Sequence, residues 1–163
     1  MISSRSGSGE RRDLCVVIRM CVAHSFLILF PWDLYRAHGD VFTANQVGTN
    51  ISVVIKKMDL DKKPAKYLIN DILVMRASRH ANIISYVDSF LHKNELWVVM
   101  EHMDGSSLAD VVAANGMTEG QIAAVSREIA QGLQHLHEHG IIHRDIKSDD
   151  VFLSLAGDIK LSS

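Results

Sequence analysis

Apolar positions along the chain change from strand-like to helix-like spacing between its middle and its end. From Gly39 onward, short apolar runs come first, and longer segments with apolar residues three or four positions apart follow. Strands that precede helices in this way are typical of an α+β domain rather than of alternating βαβ units. The pattern therefore predicts an α+β fold.

The first part of this pattern predicts a small sheet and one helix. The predicted strands are residues 41–44, 51–58, 83–91 and 96–100, and the predicted helix is 66–77. In the helix, Ile69 and Leu73 lie four positions apart on one apolar face, with Leu68, Ile72 and Met75 beside them. The last strand contains no polar residue, which is typical of a strand buried on both faces.

The second part of the pattern predicts two helices and a short pair of strands. The helices are residues 108–114 and 119–139, and the strands are 151–153 and 159–161. Thr118 and Gln121 form a capping-box pattern at the start of the long helix, and Gly140 is a favourable residue just after its end.

Charge and cysteine content exclude some classes of function. A net charge of −2 with 22% charged residues lacks the basic excess that is typical of proteins binding nucleic acid or acidic membranes. Only Cys15 and Cys21 are present, without the spacing of a disulfide framework. We therefore expect a reduced, cytoplasmic protein that binds no nucleic acid.

An apolar segment, residues 14–30, is the one candidate for a membrane or targeting signal. Arg19 and His24 interrupt it, and an arginine deep in a bilayer costs about 2.5 to 3.5 kcal/mol. We favour a buried strand or a hydrophobic extension over membrane association. The Ser- and Gly-rich residues 3–9 before it are expected to be disordered.

The run His143–Asp150 reads His-Arg-Asp-Ile-Lys-Ser-Asp-Asp and directly precedes an apolar strand. It resembles the H-R-D-x-x-x-x-N catalytic loop of protein serine/threonine kinases. The resemblance implies that Asp145 accepts the proton of the substrate hydroxyl and that Lys147 contacts the transferred phosphate. It places Asp150 at the magnesium ligand that is asparagine in the family.

A second motif lies upstream in the expected order. Val53–Lys56 resembles the V-A-I-K strand of kinases, whose lysine pairs with the α- and β-phosphates and with a glutamate of the next helix. The acidic residue in that helix is Asp71. The resemblance is collinear over residues 39–161 and is closest to the PAK-type, sterile-twenty-like group, whose character shows in residues 72–75, 96–101, 119–125 and 145–149.

The resemblance also implies an ATP site, magnesium, and a protein substrate with a serine or threonine acceptor. Met100 would be the gatekeeper, the backbone of Glu101 and Met103 would bind adenine, and hydrophobic side chains would lie above and below it. The full set of implied ATP-binding residues is Gly39, Val41, Val54, Lys56, Asp71, Met100, Glu101, Met103 and Phe152. The implied organisation is an extension over 1–33, a small lobe and hinge over 34–103, and a partial large lobe over 104–163.

The departures from the family concern nucleotide handling. Leu34 and Arg36 occupy two positions of the glycine-rich loop, where a Cβ obstructs the approach of backbone N–H groups to phosphate. Val54 and Phe152 are larger than the usual alanine and leucine. Ser163 stands where the family has its second metal-binding aspartate, and no D-F-G follows. We therefore expect a truncated kinase domain that is inactive as this chain.

Several alternatives to simple truncation remain open at this point. The chain could be a pseudokinase, a wrongly assembled gene product, or a fragment without a stable fold. It could also be a non-catalytic interaction module that binds a partner, or itself, through an exposed apolar face of helix 119–139. For His135 and His139, four positions apart on this helix, we favour solvated histidines over a metal pair.

Overall fold

The computed structural model describes residues 29–30, 41–45, 51–62, 65–92 and 94–162. They fall into two compact units: the described part of Met1–Val74 with Tyr86–His102, and Met75–Ser85 with the described part of Met103–Ser163. The opening residues 3–9 and most of the apolar segment 14–30 lie outside the described residues. The domain boundaries inferred from the sequence stay a prediction.

The first unit contains a five-stranded antiparallel sheet with strand order β1-β2-β3-β5-β4. The strands are β1 (Leu29–Phe30), β2 (Val41–Asn45), β3 (Ser52–Asp59), β4 (Tyr86–His92) and β5 (Glu95–Glu101), and helix α1 is Ala65–Ala77. In this order the predicted β4–β5 hairpin joins the sheet through β5, which pairs with both β3 and β4.

Burial in β5 confirms that both faces of this strand are covered. Leu96 and Val98 are fully buried on one face, and Val99 is buried on the other. The Val99 face belongs to an apolar cluster with Ala44, Val53 and Ile55, against which Phe90 and Trp97 pack. The continuous apolar run thus correctly predicted a strand that is buried on both faces.

Helix α1 agrees with the predicted bounds within a residue, and its buried side is the Leu68 and Ile72 edge of the predicted apolar face. Leu68 and Ile72 are fully buried, whereas Leu73 is 47% exposed. Both pairs, Ile69 with Leu73 and Leu68 with Ile72, have helical spacing of four. Spacing alone therefore could not decide which of two adjacent apolar stripes faces the core.

Strand β4 begins later than predicted, because the residues before it bond elsewhere. The N–H of Ile84 donates to the carbonyl of Leu161, 3.0 Å away, and the N–H of Leu161 donates to the carbonyl of Asn82 at 2.9 Å. Ile83 forms an isolated parallel bridge with Leu161. Residues 83–85 therefore belong to the second unit, and β4 starts at Tyr86.

The second unit is mainly helical, with one short hairpin. Its elements are α2 (Leu108–Asn115), α3 (Glu119–Glu138), a 3-10 helix (Ser148–Asp150), β6 (Val151–Leu153) and β7 (Ile159–Leu161). Its core consists of the buried side chains of Ile83, Val125, Leu136, Val151, Ile159 and Leu161. The capping box is confirmed, since Thr118 N donates to Gln121 Oε1 at 2.9 Å and Gln121 N to Thr118 Oγ1 at 3.4 Å.

The predicted glycine after α3 is confirmed as well. Gly140 has a φ of 72°, in the left-handed region that L-residues with a Cβ rarely adopt. Its N–H donates to the carbonyl of His137 at 3.0 Å, which satisfies one of the free carbonyls of the last helical turn. The chain then continues directly into residues 141–147, which carry the predicted catalytic residues.

Among the described helices, none has the length and apolar character needed to cross a bilayer.

Candidate active site

Four of the predicted nucleotide-binding residues share one face of the first unit's sheet. Val54 and Lys56 are two positions apart in β3, so their side chains point to the same side. Val41 in β2 pairs with Lys56, and Met100 in β5 pairs with Val54. Directly paired residues of antiparallel strands also share a face. The register thus brings together side chains from three strands that the sequence separates widely.

The other predicted nucleotide-binding residues of the first unit and the segment after β5 do not share this face in the described structure, or their side-chain direction is not given by the strand register. Asp71 in α1 is half-buried, as are Glu101 at the end of β5 and Met103 beyond it. Glu101 pairs with Val53, so its side chain faces away from Val54. Gly39 lies outside the described residues. The roles of all of them in binding ATP stay predictions.

The second unit holds the predicted catalytic loop, which His143 anchors. Its Nε2 lies 2.7 Å from the backbone carbonyl of Ser162, and a carbonyl only accepts, so Nε2 is the donor. The next residue, Arg144, has a φ of 68°, which is uncommon for a residue other than glycine. This turn in the backbone directs the chain from the anchored histidine to Asp145.

Lys147 lies between two carboxylates of this loop. Its Nζ donates to Asp145 Oδ2 at 2.7 Å and lies 3.5 Å from Asp150 Oδ2. The hydrogen bond to Asp145, helped by the charge of Asp150, raises the pKa of Lys147 above its ordinary value despite partial desolvation. Since 74% of the Asp145 side chain is exposed, its carboxylate is accessible to a substrate hydroxyl.

Asp150 is held by the backbone at the end of the 3-10 helix. Its N–H donates to the carbonyl of Lys147 at 3.0 Å, and its own carbonyl accepts from the N–H of Ser162 at 2.7 Å. The hydroxyl of Ser162 lies 3.5 Å from Asp150 Oδ1. The side chain of Asp150 is half-buried, so its carboxylate is in a fixed position and is available for a cation.

Magnesium prefers carboxylate and other oxygen ligands, and Asp150 supplies that chemistry. Within residues 41–45, 51–62, 65–92 and 94–162, however, no three His, Cys, Asp or Glu side chains are grouped so as to hold a metal. If magnesium binds here, Asp150 would supply one carboxylate ligand of the type it prefers.

Phe152 lies in β6 and pairs with Lys160 in β7, and it bridges to Ser107. The next residue, Leu153, donates its N–H to the carbonyl of Ser106 at 3.0 Å. A Cβ added at Gly105 would lie 2.3 Å from the carbonyl oxygen of Leu153, so glycine is required for this close approach. The hairpin β6–β7 is thereby fixed to the segment before α2.

Ser162 was not recognised from the sequence as part of the site. It contributes mainly through its backbone, which accepts from His143 and donates to Asp150. Backbone groups are the same in every residue, so no residue type marks such a role. The only available signal was its place immediately after the short strand β7.

Comparison with known proteins agrees with this geometry. The family model described as "Protein kinase domain" matches residues 37–162. The chain belongs to the protein kinase family. This confirms the fold and the family inferred from the two motifs, and it makes the chain part of a serine/threonine kinase of the PAK type.

Several curated protein kinases of fungi are similar to the chain. The serine/threonine-protein kinase SMU1 of Mycosarcoma maydis is 64% identical over 141 residues, which cover 81% of the chain and 19% of that protein. Shk1/pak1 of Schizosaccharomyces pombe is 58% identical over 127 residues, covering 77% and 19%. STE20 of Yarrowia lipolytica is 57% identical over 141 residues, covering 81% and 12%. The chain thus spans a fifth or less of the length of these kinases.

Proposed function

We propose that the chain contributes the catalytic base and a phosphate-contacting lysine to an ATP-dependent protein serine/threonine kinase site, and that by itself it does not complete phosphoryl transfer. The observation that supports the first part is the loop in which Lys147 lies between Asp145 and Asp150. Membership of the kinase family implies the use of ATP and magnesium and a protein substrate.

The proposed roles follow from the chemistry of each side chain. The exposed carboxylate of Asp145 accepts the proton of a serine or threonine hydroxyl and orients its oxygen. The ammonium of Lys147 is close enough to Asp145 to contact the phosphate that this hydroxyl attacks. Lys56, in the sheet of the first unit, is proposed to contact the other phosphates. When bound, magnesium held in part by Asp150 would neutralise phosphate charge.

Inactivity of the isolated chain is proposed from residues that weaken nucleotide binding. Leu34 and Arg36 replace glycines in the phosphate-binding loop of the family, and Asp150 adds a negative charge near the proposed phosphate position. Phosphoryl transfer depends almost wholly on positioning and charge neutralisation, so these changes affect the steps that matter most.

The test combines a binding and a transfer measurement on the whole chain. Calorimetry with Mg·ATP is expected to show weak binding that Lys56→Met abolishes. Transfer from γ-labelled ATP to a serine/threonine peptide library is expected not to exceed the background of Asp145→Ala. Magnesium-dependent transfer that Asp145→Ala abolishes would overturn the proposed inactivity, and binding unaffected by Lys56→Met would overturn the proposed ATP site.

The alternative, an interaction module with a bare face on α3, has limited structural support. Along the apolar stripe of this helix, Val125 and Leu136 are buried and Ile129 and Leu133 pack on the core of their own unit. Ile122 remains 44% exposed. Self-association through this face stays a proposal, as does a cytoplasmic location. A monomer in light scattering would count against self-association.

A further inference from the structure

Three histidine rings lie in contact in the second unit, outside the proposed kinase site. The rings of His80 and His135 stack with centroids 4.9 Å apart, and those of His135 and His139 are 4.4 Å apart. His135 and His139 belong to the end of α3, whereas His80 comes from the segment between α1 and β4. The three rings therefore connect two parts of the unit that are distant in sequence.

The surroundings of two of these rings favour the neutral form. His80 Nδ1 lies 3.1 Å from the N–H of Asn82 and accepts from it, which a protonated ring nitrogen cannot do. His135 Nε2 is buried and has no hydrogen-bond partner among the described residues. A proton there would place an unpaired charge in a buried position. His139 differs, because its Nδ1 donates to the carbonyl of His135 at 2.8 Å in either form.

The charged groups around the rings shift the pKa of His135 in both directions. Burial, followed by the charges of His139 and His80, lowers the pKa of His135, and Glu138 opposes this shift. Glu128 interacts electrostatically with His80. The pKa of Glu128 is lowered chiefly by its hydrogen bonds to Arg127 and Asn82. Glu128 thus stays ionised as the histidines begin to take up protons.

We propose that His80, His135 and His139 form an acid-sensitive latch that holds His80, the first residue of the turn His80–Ile83, against the end of α3 near neutral pH and releases it under mildly acidic conditions. Opening is local. The side-chain amide of Asn82 still donates to Glu128 and to the carbonyl of Ile159, so the following residues stay attached to α3 and β7.

The direction of the pH dependence follows from the lowered pKa of His135. Folding then favours the neutral ring, so its contribution is fully present above the ordinary value of 6.5 and is lost as pH falls below it. Carboxylates such as Glu128, with an ordinary value of 4.5, respond only at lower pH. A change in protection between these two pH values therefore reports on the histidines rather than on the carboxylates.

Hydrogen exchange of the whole chain at about pH 7.5 and about pH 5.5, corrected for intrinsic rates, tests the proposal. The N–H groups of Asn82 and Ile83, which bond within the turn, are expected to lose protection at the lower pH. The N–H of Ile84, bonded to Leu161, is expected to keep it. Loss at all three amides together would mean general acid unfolding and would overturn the latch.

Variants provide the matched control. His135→Phe keeps an aromatic ring without a titrating group and is expected to reduce the pH-dependent loss at Asn82, since one of the three rings that take up protons is removed, whereas His137→Phe, at an exposed position of the same helix, is expected to leave it unchanged. The same loss in both variants would contradict the proposal. Should His135→Phe fail to fold, NMR titration of the native rings decides, because a His135 that titrates like His137 would also overturn it.

Discussion

The side-chain amide of Asn82 donates a hydrogen bond of 2.7 Å to Glu128 Oε2, across 46 positions of sequence. A second hydrogen bond, 3.0 Å long, goes from the same amide to the carbonyl of Ile159. Asn82 is only 5% exposed, and its bond to the carbonyl of Ile159 is shielded from water. One short side chain thereby joins the α1–β4 connection to α3 and to β7.

Replacing Asn82 by alanine is expected to lower the free energy of unfolding by about 1 to 3 kcal/mol, because the carbonyl of Ile159 would lose its donor in a buried position. Urea denaturation at neutral pH measures this. Asn115→Ala, at an exposed position at the end of α2, serves as the control and is expected to change stability by less than about 0.5 kcal/mol. Equal effects of the two substitutions would refute the role of Asn82.

Two glycines of α3 should respond to alanine in opposite directions. A Cβ at Gly132 would lie 2.9 Å from the carbonyl oxygen of Asn82, whereas a Cβ at Gly120 meets nothing within 4 Å. Gly132→Ala is therefore expected to destabilise the fold by about 1 to 3 kcal/mol. Gly120→Ala is expected to stabilise it by up to about 1 kcal/mol through helix propensity. Thermal or urea unfolding of both variants checks the sign of each change.

The raised pKa of Lys147 gives a prediction in solution. Its largest cause is the hydrogen bond to Asp145, so Asp145→Asn is expected to lower this pKa toward its ordinary value of 10.5. In the native chain, the favourable interaction is fully present below 10.5 and is lost as pH rises through the higher native value.

Titration of the Lys147 side chain, followed by the NMR signal of its Cε, measures the shift. Glu138→Gln removes an exposed carboxylate elsewhere in the unit and should leave the titration unchanged. An unaltered Lys147 curve in Asp145→Asn would show that the two groups do not interact in solution.

Lys57 contributes a different kind of contact on the Val99 face of the sheet. Its Nζ lies 4.1 Å from the centre of the Phe42 ring and 4.3 Å from the Trp97 ring. A double-mutant cycle with Lys57→Met and Trp97→Leu is expected to give a coupling energy of about 0.5 to 1 kcal/mol in stability. The same cycle with Lys62, whose Nζ is paired with Asp59, should give a value near zero.

The sequence was sufficient for elements with a strong local signal. The capping box at Thr118, the left-handed Gly140 and the apolar run of β5 were all confirmed, because each depends on residues adjacent in the chain. The predicted catalytic loop was recognisable because its residues lie close together in the sequence.

What the sequence could not show depends on contacts between distant residues. The buried face of α1 is set by what packs on it, and the late start of β4 is set by hydrogen bonds to Leu161. The contact of His80 with His135 joins residues that no local periodicity relates. Such choices are made by tertiary packing, after local preferences have been satisfied.

Ser162 is the residue at which the loop and the hairpin meet, since its carbonyl accepts from His143 and its N–H donates to the carbonyl of Asp150. Neither bond can persist if this part of the backbone frays. The loop and the end of β7 should therefore open as a single foldon, with one shared free energy of local opening. How long the proposed base Asp145 and its neighbour Lys147 stay aligned would then be governed by the stability of a two-stranded hairpin outside the loop.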